Sequence, residues 1–243
     1  MSESTILAGK IAIITGAGTG VGRATALAVA GEGVSPVLVG RRRDPLEQTA
    51  ELVASRGGTA LVAPADVADE VAVADVVART VAELGGVDIL VNAAAVGLYG
   101  PVERYPLQAW QQTMATNLTG VFLFCRAVLP SMKSRGGGAI IAIGSGAGKQ
   151  GYADLAAYSA SKFGLMGFMQ SLAGEVDDDR IKVSTILPGS ILTDFGGRSV
   201  AEKQTAIATG KRFINPDDVA EAILFLLRQP AHAWTQELNL WPF

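Results

Sequence analysis

Charge, cysteine and histidine are scarce in this chain. Of its 243 residues only 18% are charged, one is a histidine and one a cysteine. The lone Cys125 excludes an intramolecular disulfide and a multi-cysteine metal site, and no metal is expected. It sits in FLFC, on an expected helix, and reads as a small core residue. The formal net charge is −3, so no basic field points to nucleic acid. Long apolar runs are missing as well. The longest uncharged stretch, PLQAWQQTMATNLTGVFLFC, holds three glutamines and an asparagine and does not read as a membrane span. MSESTILAGK lacks a signal-peptide layout, which leads to the expectation of a cytoplasmic protein. Apolar residues (49%) and 29 glycines are plentiful, which suits a filled core with tight turns and excludes a disordered chain.

Strand-length apolar runs alternate with helical patterns. KIAIIT, SPVLVG, TALVAP, VDILVNAA, AIIAIG, KVSTILPG and ELNLW read as strands. Between the second and third, DPLEQTAELVASRGG offers Asp44 as N-cap, Pro45 at the first helical position and Glu47 at the capping-box position. Val73, Val76, Val77, Val81 and Leu84 form one helical stripe. Longer helices are expected over 107–134 and 154–176. In NPDDVAEAILFLLRQ the cap signals return as Asn215, Pro216 and Asp218. Alternation with continuously apolar strands predicts a parallel sheet covered by helices on both faces. No linker or repeat divides it, so 1–243 reads as a single domain. Residues 194–213 lack a strong apolar stripe and read as a candidate lid, partly helical, or as an ordinary surface connection.

TGAGTGVG follows the first strand and opens a helix, the context of a dinucleotide-binding turn. Gly16 permits the tight turn. Gly18, Thr19, Gly20, Val21 and Gly22 bring main-chain N–H groups and a helix start to a pyrophosphate. A purely structural turn is the alternative, disfavoured by the place after strand one. About 20 residues on, where an acid would meet a free ribose 2′-hydroxyl, stand Gly40, Arg41, Arg42 and Arg43. Guanidinium groups suit a 2′-phosphate, so NADP(H) is expected over NAD(H); a solvated basic corner is the other reading.

In AAYSASKFG, one helical turn separates Tyr158 from Lys162, so both share a face. Holding a tyrosine as phenolate at neutral pH costs about 4 kcal/mol. An ammonium some 4 Å away supplies on the order of 4 kcal/mol at an effective dielectric of 20. The spacing therefore predicts a tyrosine made acidic by its neighbour and fit for acid–base work.

Taken in order, TGxxxGxG, the NA-containing strand end, the helix Asn117, Ser145 thirteen residues before Tyr158, the Tyr-x-x-x-Lys pair and a following Pro-Gly resemble the short-chain dehydrogenase/reductase family over residues 8–241. The resemblance implies a doubly wound Rossmann fold, α/β, with a seven-stranded parallel sheet. It also implies hydride transfer at nicotinamide C4, with Tyr158 as general acid and base and Lys162 holding the nicotinamide ribose and depressing the tyrosine pKa. Ser145 would hydrogen-bond the substrate oxygen, and Asn117 would anchor a water linking Lys162 to solvent. Asp66 and Val67 would bracket adenine, and Asn92 and Ala94 would pass the nicotinamide ribose. Pro188, Gly189, Ile191 and Thr193 would orient the carboxamide and touch the pyrophosphate.

The chain departs from the family pattern in places. Asn92-Ala93-Ala94-Ala95 stands where NNAG is frequent, so altered geometry is expected there. Thr19 stands where a basic residue is frequent in NADP-using members, and ELNLWPF replaces a DGG-like ending. Candidate substrate contacts are Val96, Leu98, Tyr99, Ala147, Gln150, Tyr152, Leu155 and the lid. They are mostly apolar, without a cationic clamp unless Arg198 or Lys203 folds in. Trp110, Trp234 and Trp241 read as packing anchors, and His232 as an exposed loop residue. The resemblance implies a homotetramer, with a homodimer as alternative, through the helices of 107–134 and 154–176. There Ala160, Gly164 and Gly167 would allow close approach, and Phe163, Phe168 and Met169 would supply surface. The expected activity is NADP(H)-dependent interconversion of a small alcohol and its carbonyl compound. The rival reading is a non-catalytic NADP(H)-sensing protein on the same fold.

Overall fold

The computed structural model describes residues 6–243. Seven strands pair in parallel in the order β3-β2-β1-β4-β5-β6-β7. They are β1 (Ile11–Thr15), β2 (Ser35–Gly40), β3 (Leu61–Pro64), β4 (Ile89–Asn92), β5 (Gly138–Ile143), β6 (Ile181–Pro188) and β7 (Glu237–Leu240). β1, β2, β4 and β5 are nearly continuous apolar runs because both of their faces are covered, while β6 also carries Lys182, Ser184 and Thr185. One face carries α3 (Glu70–Leu84), α5 (Gly120–Ser134) and α6 (Ala156–Glu175), with Phe124, Met132 and Leu165 fully buried. The other carries α1 (Gly20–Gly31), α2 (Arg43–Ala54) and α8 (Pro216–Leu227), through Val29, Leu46 and Ile223. The chain runs outward from β1 to β3, then returns to start β4 on the other side of β1. That reversal is the topological switch point, where a crevice opens beyond the carboxyl ends of the strands.

The long helix of 107–134 is α4 (Leu107–Met114) and α5 joined through a π-helical turn, Ala115–Thr119, centred on Asn117. Asn215 is the expected N-cap of α8, its main-chain N–H donating to Asp218 Oδ2 at 2.6 Å, with Pro216 in the first turn. At α2 the expectation needs correction. The helix begins at Arg43 with Arg42 as its N-cap, and Asp44 lies inside the first turn. Pro45 is tolerated there because first-turn N–H groups have no partner in the helix. A second correction concerns α3, where Val81 is exposed and Thr80, bonded to its own helix at Val76 O, faces inward instead.

Two residues expected on an open helix face are used inside the chain. Met169 is buried in the core, and a Cβ on Gly164 would come within 2.9 Å of Leu118. Leu107, Trp110, Phe122 and Phe163 are the large apolar residues left exposed on these helices. The segment 194–213 contains α7 (Val200–Ala208), started by a reciprocal Ser199–Glu202 cap.

Candidate active site

A cavity of about 1410 Å³ lies over the carboxyl ends of the strands. One wall is the turn after β1. Gly16 has φ +69°, and a Cβ there would meet the main chain of Ala94 at 3.0 Å. A Cβ on Gly22 would lie 2.3 Å from Gly16 O. The turn is thus closed on itself and flush against the end of β4. Thr15 holds that junction: its hydroxyl accepts from the N–H groups of Ala93 and Ala94, each at 3.0 Å. Arg23 braces the turn from behind, donating to Gly18 O at 2.6 Å and to the Thr49 hydroxyl at 3.1 Å. Neither Thr15 nor Arg23 was singled out from the sequence. A strand-end threonine and a first-turn arginine carry no pattern until the strands are paired.

Gly16, Gly18, Thr19, Gly20, Val21, Gly22, Arg41, Arg42, Asp66, Val67 and Ala94 all line the cavity. So do Ser145, Tyr158, Lys162, Pro188, Gly189, Ile191 and Thr193. Arg43 is paired with Glu47 on α2, while the exposed Arg41 and Arg42 stand on the rim. Two expected residues stay behind the wall. Asn92 is buried and its amide donates to Cys125 Sγ at 3.7 Å. Asn117 is buried with its side chain fully engaged. It accepts from Val96 N at 2.8 Å and donates to Val96 O at 2.9 Å and Ser161 Oγ at 3.2 Å. Ser161 in turn donates to Tyr158 O at 2.7 Å, so Asn117 braces the segment after β4 against α6 beside the tyrosine.

Ser145 lies two residues beyond β5, at the start of the Gly146–Gly148 turn, and accepts from Ala147 N at 3.1 Å. The turn of Gly146–Gly148 approaches α6 so closely that a Cβ on Gly148 would sit 3.0 Å from Lys162 O. That contact brings Ser145 to Tyr158. The phenol ring lies between Tyr99, 5.9 Å away edge-on, and Phe195, 5.8 Å away. Val96, Ala147, Tyr152 and Leu155 also line the cavity, whereas Leu98 and Gln150 do not. Trp241 reaches the cavity instead of packing inside; Trp234 packs against the core and donates to Val183 O at 3.0 Å. His232 is exposed, as expected.

The expected influence of Lys162 on the phenol is not among those acting on Tyr158 in this structure. Burial raises the Tyr158 pKa well above the ordinary tyrosine value; the Ser145 hydroxyl pulls it down and Tyr99 pushes it further up. Burial also lowers Lys162 to about 8. The ammonium lies 5.7 Å from the phenol ring centroid and donates to Ile143 O at 2.6 Å. Low dielectric penalises both charged forms, and the lysine spends its bond on a main-chain carbonyl. Helical spacing placed both groups on one face but did not report their dehydration.

Lys203 folds inward, yet not as a clamp for substrate. It donates to Ile191 O, Thr193 O and Phe195 O at 3.3, 2.6 and 3.0 Å. Arg198, Lys211 and Arg212 remain at the rim.

A family model described as short chain dehydrogenase matches residues 10–204. D-threitol dehydrogenase of Mycolicibacterium smegmatis is 38% identical over 230 residues, 93% of this chain and 88% of that protein. Glycine betaine reductase of Emericella nidulans is 35% identical over 239 residues, 97% of this chain but only 19% of that much longer protein. A metagenomic short-chain oxidoreductase solved in complex with NADP superposes with a TM-score of 0.86 at 33% identity, covering 98% of this chain and 99% of that one. The chain therefore belongs to the short chain dehydrogenase family, oxidoreductases that use nicotinamide cofactors on small molecules.

Proposed function

We propose that this family member is an NADP(H)-dependent oxidoreductase interconverting a small alcohol and its carbonyl compound, with Tyr158 as general acid and base. The observation that carries the reading is that Ser145, Tyr158 and Lys162 share one cavity with the glycine turn at the switch point of the sheet. A dinucleotide would suit this cradle: Gly18, Thr19, Gly20 and Val21 line the cavity where α1 starts, with no bulky or acidic side chain among them to oppose a pyrophosphate. The cofactor would supply or accept the hydride. Arg41 and Arg42 would hold the 2′-phosphate, and the NADP-bound relative supports that preference. Asp66 and Val67 would flank the adenine, Ala94 the nicotinamide ribose, and Pro188, Gly189, Ile191 and Thr193 the far end. Asn92 would act from behind the wall, keeping the end of β4 in place.

In reduction, the buried phenol of Tyr158 holds its proton firmly and donates it to the carbonyl oxygen, while the Ser145 hydroxyl donates a hydrogen bond to the same oxygen. In oxidation the phenol must first be deprotonated. Lys162, turned from Ile143 O towards the ribose, would then place its positive charge beside the phenolate. The Asn117 side chain has both N–H groups engaged, so a water connecting Lys162 to solvent would bind its main-chain carbonyl. Residues 1–243 would act as one dinucleotide-binding and catalytic domain, with 194–213 as a lid.

Tyr99, Tyr152, Phe195 and Trp241 favour a substrate with a compact apolar body. A cytoplasmic homotetramer, with a homodimer as alternative, completes the proposal. Exposed Phe122, Phe163 and Trp110 on the long helices support the association, and the lone buried cysteine suits a reducing compartment.

The experiment is NADPH consumption over aldehydes, ketones and 3-oxo acids, run in reverse with NADP+ and alcohols including small polyols. Tyr158→Phe is expected to lower turnover on the order of 10²–10⁴-fold while NADPH still binds. A wild type that binds NADPH yet turns over nothing in the panel would favour the sensing alternative. Full activity in Tyr158→Phe would remove the mechanism.

A further inference from the structure

We propose that Lys203 is a positioning residue: by gripping the main chain of Ile191–Phe195 it keeps Phe195 on the ring of Tyr158 and so keeps water from the phenol. The inference rests on the reading of Tyr158 as the acid–base group.

The starting point is how α7 is attached to the molecule. A surface helix normally docks through an apolar stripe. In α7 the one buried side chain is Lys203, while Ile207 is exposed. Lysine usually extends its ammonium into water along an apolar stem. Here the ammonium turns inward, where only full hydrogen bonding makes burial tolerable. An ammonium has three N–H donors and no acceptor, and Lys203 meets three carbonyls, those of Ile191, Thr193 and Phe195. Its donors are therefore exhausted, which leaves none for a substrate anion.

The grip is a closed loop of chain. Asp194, inside the gripped stretch, accepts from Val200 N at 2.7 Å at the start of α7. Asp194 and Arg198 are also the charged side chains acting on the Lys203 ammonium, the first favouring its charge and the second opposing it. The stretch thus has its outer side fixed to α7 and its inner side carrying Phe195 at 5.8 Å from the Tyr158 ring. Gly196 follows with φ +80°, and a Cβ there would meet Tyr99 at 2.9 Å, so the loop also presses on the other ring that flanks Tyr158. The polar groups around the phenol are Ser145, the Tyr99 hydroxyl and Lys162. Ser145 and Lys162 make no contact with the gripped loop, whereas Tyr99 packs against it at Gly196. Phe195 depends on Lys203 directly, because its carbonyl is one of the three acceptors.

If the latch opens, Phe195 leaves one side of the phenol and water enters. Burial is the largest influence holding the Tyr158 proton on. Opening must then let the phenol ionise at lower pH. A lysine that merely stabilised a surface helix would change the melting temperature and leave that ionisation where it was.

The test is Lys203→Met, which keeps the length of the stem and removes all donors. The four tyrosines are labelled with carbon-13 at Cζ, and the Tyr158 resonance is assigned by its loss in Tyr158→Phe. At the highest pH at which the variants and wild type all stay folded, the displacement of the Tyr158 signal towards its tyrosinate position is expected to be about tenfold larger in Lys203→Met than in wild type, the effect of a pKa lowered by about one unit. Phe195→Ala is expected to move it the same way, and the double variant no further than the larger single change. The alkaline pH dependence of kcat/KM for alcohol oxidation should shift with it. Lys203→Gln, which keeps two donors on a shorter stem, is expected to show the same direction at smaller size and carries the test if Lys203→Met does not fold. A Tyr158 signal unmoved in the Lys203 variants, or additive shifts in the double variant, would overturn the proposal. The resonance needs no turnover, so loss of the catalytic reading would show in the Tyr158→Phe rates and not in this titration.

Discussion

Between β1 and α1 the cavity wall is main chain; between β6 and α8 it is a loop tied down by side chains. The first wall is held by exclusion: Gly16 and Gly22 touch neighbouring backbone so closely that no side chain can be added. The second is held by polar attachment, through Lys203 on three carbonyls and Asp194 on Val200 N. A wall defined by sterics has one shape. A wall defined by a few hydrogen bonds can let go, since each adds only about 0.5–1.5 kcal/mol net, or about 1.5–3 when charged. The difference would suit the proposed roles of the two walls, a rigid seat for a dinucleotide and a releasable cover for a substrate.

The comparison can be broken most sharply at Gly22. Gly22→Ala puts a methyl group 2.3 Å from Gly16 O. Overpacking of about 1–3 kcal/mol, which falls on the seat itself, is expected to weaken NADPH binding roughly 10–100-fold by fluorescence titration. Unchanged binding would mean that the turn yields, and the contrast between the walls would fall. A change on the rim of the same wall should be more selective. Replacing Arg41 and Arg42 together by Ser is expected to reduce the NADPH-over-NADH preference roughly tenfold or more, the loss of at least one charged hydrogen bond. NADH efficiency should stay within a few-fold. An equal loss with both cofactors would assign the arginines to general attraction.

A third effect concerns stability and leaves both walls in place. Lys162 has its pKa lowered by burial from 10.5 to about 8, so between those values the unfolded chain holds a proton that the folded chain has released. Stability contributed through this group rises with pH across that window, and below it the folded protein carries the full penalty of a buried ammonium. Lys162→Met should therefore be more stable than wild type at pH 7, by roughly 1–3 kcal/mol, and lose that advantage towards pH 10. Thermal melts at both values check it, and a destabilised variant at pH 7 would show that the bond to Ile143 O outweighs dehydration.

The parts legible in the sequence were those that depend on local geometry. Strand order in the chain, the glycine turn, the Asn215–Asp218 cap and the shared face of Tyr158 and Lys162 follow from spacing along the backbone, which neighbouring residues set by themselves. Trp241 shows the limit. Its sequence surroundings resemble those of a packing residue, and only the arrival of β7 beside β6 brings it to the cavity. Lys203 shows it again: the sequence offered it only as a clamp for substrate, and the fold turns it instead onto the carbonyls of Ile191, Thr193 and Phe195.

Composition and spacing alone determined an α/β chain with a glycine-rich turn after its first strand and a tyrosine and a lysine one helical turn apart. The fold decided how those groups are charged. Ionisation depends on how much water and which dipoles surround a group, and these come from segments far apart in the chain: Phe195 and Tyr99 over the phenol, Ile143 O under the ammonium. A pKa is a property of the assembled environment, so it could not be read before the environment was assembled.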